Sequence, residues 1–67
     1  MKNLIKVGRA RSNITQAELA DKVKVSRQTI NSIETGKFTP STVLALKIAE
    51  VLQVNVNELF QLEDSDW

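Results

Sequence analysis

Gln16 to Glu34, reading QAELADKVKVSRQTINSIE, decides the fold. The stretch holds two helical patterns separated by a break of about three residues. Each pattern opens on a capping signal. Thr15 precedes the first, and Glu18 stands three residues on. This is the spacing of a capping box, in which the hydroxyl takes an orphan backbone N–H and the carboxylate reaches back. Ser26 precedes the second and can cap it alone. Leu19, Ala20 and Val23 form the inward stripe of the first helix, and Ile30 and Ile33 that of the second. Val25 plugs the turn between them. The layout is that of a helix-turn-helix.

The second of these helices carries the functional signal. On a wheel with Ile30 and Ile33 facing the core, Gln28, Asn31, Ser32 and Thr35 point away, and Arg27 flanks the helix start. No aliphatic or aromatic side chain interrupts that outer face. Base edges in a major groove call for such groups: Arg pairs with guanine, Gln or Asn with adenine, hydroxyls with either.

Outward from this centre, residues 3–12 read as a first helix with Asn3 as N-cap and Arg9 and Arg11 at its negative end. Gly8 inside that helix costs about 1 kcal/mol relative to Ala, which implies close approach of a neighbouring helix. Arg9 falls on the inward side and needs a partner, because an unpaired buried charge is expensive. Glu34 can swing inward to meet it. After Glu34, Gly36 can take a left-handed turn and Pro40 blocks continuation. Lys37 lies in that loop, placed for a phosphate, and Phe38 is expected to anchor the loop on the core. Residues 41–52 form the most apolar helix. Leu44, Ala45, Ile48, Ala49 and Leu52 make one face, and Val43, Leu46 and Val51 spread beyond it, so this helix is central to the core or shared with a second subunit. Asn55 opens a last short helix with Glu58 at the capping-box position. Leu59 and Phe60 cover the core, the segment Phe60–Leu62 is expected to pair with residues 1–3, and Trp67 is expected to hang free.

Size and composition narrow the function. A chain of 67 residues makes one domain, residues 1–67, that buries only about 60% of its unfolded surface and gains from a partner subunit. There is no Cys and no His, which removes disulfides, thiolate metal sites and the usual general base. No catalytic constellation and no cofactor loop is visible, so an enzyme is not expected, nor a cofactor or a small-molecule ligand. No apolar run approaches the roughly 20 residues of a membrane span, and a cytoplasmic location follows by default. The net charge of +1 hides an asymmetry. Three of the eight acids, Glu63, Asp64 and Asp66, sit in an acidic tail over 63–67, leaving nine cationic and five acidic side chains before it. A mildly basic body suits a nucleic-acid binder.

The combination TQAELA, SRQTIN and IETGK resembles the phage-repressor/Cro-type helix-turn-helix family, and in particular its compact bacterial regulators. The likeness runs from about Ile5 to Leu62. It implies an all-α fold of five short helices, a lambda-repressor-like DNA-binding domain, with the minor pairing of the termini added. It implies base-reading positions at Ser26, Arg27, Gln28, Asn31 and Ser32, and phosphate contacts at Gln16, Thr35 and Lys37. Gln16 would also brace the head of the recognition helix, and Arg9 with Glu34 matches a structural ion pair of phage repressors. The implied partner is double-stranded DNA, bound by a homodimer on a near-palindromic operator with half-sites about 34 Å apart, for transcription regulation and most simply repression. The alternative use of the same fold is an antitoxin or a protein-interaction adaptor. Lys24 and Gln53 stand where the family usually has Gly, Gly8 where it has a larger apolar residue, and Thr42 where Leu is frequent. Forced to positive φ, Lys24 and Gln53 would each cost up to about 1 kcal/mol.

Overall fold

The structure, a computed structural model, describes residues 1–67. In chain order it contains β1 (Lys2–Asn3), α1 (Ile5–Ser12), α2 (Gln16–Val23), α3 (Arg27–Glu34), α4 (Thr42–Leu52), α5 (Val56–Leu59), β2 (Phe60–Gln61) and a single 3₁₀ turn (Asp64–Asp66). Five helices and one two-stranded ladder make the all-α architecture that the sequence pattern implies.

Local chemistry sets most of the boundaries. The Thr15 hydroxyl accepts from the Glu18 N–H at 3.0 Å, and the Glu18 carboxylate accepts from the Thr15 N–H at 2.8 Å, closing the capping box of α2. Ser26 caps α3 through the Thr29 N–H at 3.1 Å, and Ser41 caps α4 through Leu44 at 3.1 Å. Each such cap stabilises its helix by about 1 kcal/mol. At the other ends, Asn13, Lys24 and Gln53 close α1, α2 and α4 in the left-handed conformation at φ 55°, 63° and 59°. Their N–H groups donate back to the last turn, which satisfies carbonyls the helix leaves orphaned.

The core is one apolar cluster. Ile5, Leu19, Val23, Ile30, Ile33, Ile48 and Leu59 are its large side chains, with Ala20, Ala49 and Leu52 filling between them. Gly8 of α1 lies against α4: a Cβ built there would stand 2.9 Å from Leu52 Cδ1. The absence of a side chain at residue 8 thus sets how closely α1 and α4 approach. No helix is long and apolar enough to cross a membrane.

Three expectations are corrected. The first helix begins at Ile5, not at residue 3. Asn3 belongs instead to β1, opposite Phe60, with Lys2 opposite Gln61 in an antiparallel pair. Its side-chain oxygen still accepts from the Ile5 N–H at 3.2 Å, while its Nδ2 donates to the Ile33 carbonyl at 2.9 Å and ties the strand to the end of α3. The capping box at Asn55 does not form. The Asn55 amide faces the Glu58 carboxylate as a donor, at 3.5 Å, so its oxygen caps nothing. Phe38 does not reach the core: half its surface is exposed. Val43 and Leu46 of α4, at 63% and 53%, are exposed as well, and Trp67 is free of the body at 92%.

Candidate nucleic-acid interface

The outer face of α3 follows from the two buried positions beneath it. With Ile30 and Ile33 fully packed, the helical repeat leaves Arg27, Gln28 and Asn31 exposed in a row, with Ser32 half-buried beside them. Thr35 caps the end of α3, and its hydroxyl donates to the Asn31 carbonyl at 2.9 Å. Gly36, at φ 79°, turns the chain back. The N–H groups of Lys37 and Phe38 then both donate to the Ser32 carbonyl, at 2.9 and 3.2 Å. The loop is therefore fastened to the last turn of α3, and Lys37 stands exposed at its edge.

Gln16, at the first position of α2, joins the outer face of α3 to the interior. Its Oε1 accepts from Arg27 Nη1 at 3.1 Å. Its Nε2 donates to Asn31 Oδ1 at 3.1 Å and to Glu34 Oε1 at 3.2 Å. Glu34 in turn holds Arg9 through two bonds, Nε to Oε2 at 2.7 Å and Nη2 to Oε1 at 3.1 Å. Arg9 Nη1 also donates to the Ile14 carbonyl at 3.2 Å. The Glu34 side chain is only 8% exposed and that of Arg9 15%, so this is a bidentate pair largely shielded from water, and removing one partner would strand the charge of the other. The hydrogen bond to Glu34 pushes the Arg9 pKa still higher, against the opposing effect of burial.

The expected site residues thus divide. Arg27, Asn31, Gln16, Glu34 and Arg9 form one hydrogen-bonded chain across α1, α2 and α3. Gln28 and Lys37 stand outside it with free polar ends. Ser26 shares its hydroxyl between the Thr29 N–H and the Thr29 hydroxyl, the latter at 2.9 Å. One residue beside this face is expected elsewhere from sequence: Phe38 lines a recess together with Gln28 and Ser32. Its position directly after Lys37, in a loop following the outward helix, is the signal that pointed there.

A second charged cluster lies away from this face. The Met1 ammonium contacts Asp66 at 2.8 Å and Glu63 at 3.1 Å. Hydrogen bonds to Asp66 and then Glu63 raise the pKa of the amine above 8.0. The same contact, followed by the bond from the Glu63 N–H, lowers Asp66 below 3.8. The Met1 amine is thereby clamped to the segment that follows β2.

A family model described as helix-turn-helix matches residues 5–59. A protein of Methanocaldococcus jannaschii, named an uncharacterized HTH-type transcriptional regulator, MJ0272, is 50% identical over 66 residues, 98% of this chain and 100% of that one. YgzD of Bacillus subtilis, of the same description, is 41% identical over 98% of this chain and 100% of its own. A regulator of Archaeoglobus fulgidus, also so described, is 44% identical over 98% and 94%.

Proposed function

Because the chain belongs to the phage-repressor/Cro-type helix-turn-helix family of DNA-binding transcriptional regulators, we propose that it is a cytoplasmic repressor acting as a homodimer on a near-palindromic operator. The observation that carries this reading is the exposed row Arg27, Gln28 and Asn31, held in register by Gln16 above the buried Ile30 and Ile33. In this reading α3 enters the major groove. Ser26, Arg27, Gln28, Asn31 and Ser32 read bases, and Gln16, Thr35 and Lys37 meet phosphates. Repression then needs only occupancy of a promoter. The homodimer is supported by the small core and by the apolar side chains left exposed, Leu4, Val7 and Leu62 among them.

The exposed Val43 and Leu46 of α4 favour a second reading, a protein-interaction adaptor that uses this face. Selection of bound sequences from a random DNA pool separates the two. The expected result is a two-fold motif with half-sites about 34 Å apart, one helical turn. Folded protein that enriches no sequence at low salt would overturn the regulator in favour of the adaptor.

A further inference from the structure

We propose that Phe38 reads thymine, its ring receiving the C5-methyl group of a thymine next to the base pair addressed by Gln28; the proposal rests on α3 being the reading helix. Phe38 is half exposed, outside the core cluster and outside the apolar side chains packed around it. An aromatic ring left in water forgoes about 25 cal/mol for each Å² that a partner could cover, so a ligand that covered it would gain affinity. The ring forms one wall of a recess of about 310 Å³, and the other walls are Ser26, Gln28, Thr29 and Ser32. It is the one apolar side chain there.

The loop cannot easily swing the ring elsewhere. The N–H groups of Lys37 and Phe38 are both bonded to the Ser32 carbonyl, and Ser32 belongs to α3 itself. The Phe38 backbone therefore travels with the helix, which keeps the ring beside its outer face. In the major groove each base pair presents hydrogen-bonding atoms, and the one apolar group offered there is the thymine C5-methyl. A polar recess with a single aromatic wall, opening beside a free glutamine amide, matches a base step that presents one polar edge and one methyl. Lys37, one residue earlier at the loop's edge, would meet the phosphate on that side of the groove.

Single replacement of each thymine in the selected operator by deoxyuridine removes the methyl and nothing else. For the unaltered protein, one thymine in each half-site should show a loss of about fourfold in affinity, the value of about 0.8 kcal/mol per buried methyl at about 1.4 kcal/mol per tenfold. Phe38→Ala should bind the thymine and deoxyuridine forms of that site equally, and Phe38→Leu should retain part of the difference. All other thymines should behave alike in the three proteins. No methyl-sensitive thymine in the unaltered protein, or the same sensitivity in Phe38→Ala, would overturn the role of Phe38. A uniform loss of affinity in Phe38→Ala with an unchanged methyl profile would overturn it also, assigning the ring to the sugar-phosphate backbone. Failure to select any operator is a different failure, and falls on α3 as the reading helix.

Discussion

Replacing Lys24 by glycine should make the protein more stable, although the substitution removes a side chain and adds none. Lys24 ends α2 at φ 63°, ψ 45°. That conformation crowds the Cβ of an L-residue against its own carbonyl and costs about 1–2 kcal/mol, a cost glycine escapes. Against this, glycine's wider freedom in the unfolded chain gives back about 0.4–1 kcal/mol. The net gain is about 0.5–1 kcal/mol. With an unfolding entropy of about 2.1 cal/mol/K per residue, the domain's entropy is about 0.14 kcal/mol/K, and the gain becomes a rise in Tm of about 4–7 °C. Lys24 is exposed and makes no ion pair, so little offsets the gain. Gln53→Gly, at φ 59°, relieves the same strain but loses the bond from Gln53 Nε2 to the Glu50 carbonyl at 3.1 Å, so its rise should be smaller. Asn13→Gly, at φ 55°, should move Tm least, because asparagine tolerates this region. Thermal melting followed by far-UV circular dichroism orders the three. A Lys24→Gly protein that melts at or below the unaltered one would refute the strain as reckoned.

Glu34→Ala should cost about 2–4 kcal/mol in urea unfolding, because it strands a largely buried guanidinium. Converting both Arg9 and Glu34 to Met should recover most of that loss. Failure of the pair to recover would show that the bonds from Gln16 and to Ile14 matter more than the charges. In DNA binding, Gln28→Ala should flatten preference among operator variants by about 1–3 kcal/mol, whereas Lys37→Ala should weaken every sequence alike and lower the salt slope by about one. Titration competed between operator variants at several salt concentrations tells them apart. The clamp on Met1 should depend on pH with a definite sign. The amine's pKa is raised, so its contribution is whole below 8.0 and is lost as pH rises through the higher folded value. Asp66 is lowered, so its contribution is present above 3.8 and is lost as pH falls through the folded value. NMR shifts of Asp66 should move as its carboxyl protonates below 3.8 and again as the amine deprotonates above 8.0. Shifts that move only with the acid limb would remove the amine from the clamp.

The capping signals at Thr15 and Ser26 were legible because each involves atoms within four residues and is followed by enough helix to need a cap. The same spacing at Asn55 and Glu58 misled. There the helix is a single turn of four residues, and an amide can donate where a hydroxyl or carboxylate pattern expects an acceptor. The start of α1 was lost for the opposite reason. Asn3 is drawn into a ladder with Phe60 and bonded to Ile33, partners dozens of positions away that no local pattern contains. Helical periodicity placed Gln28 and Asn31 outward without difficulty. It has no purchase on a loop, so the direction of Phe38 was set instead by two backbone bonds to Ser32. The threefold bonding of Gln16 was illegible in detail because it depends on how α2 crosses α3, although the family resemblance implied that Gln16 braces the head of the helix.

That bonding restricts how such a surface can be changed. Arg27 and Asn31 share one amide, and the amide is shared in turn with Glu34. A substitution at either outward position alters the donors and acceptors left for the other. Grafting a relative's outward residues one at a time should therefore pass through mismatched combinations that bind worse than either parent. Moving positions 16, 27, 31 and 34 as a set should avoid that valley. Gln28 and Phe38 lie outside the shared amide, so substitutions at either should leave the bonds of Gln16 intact.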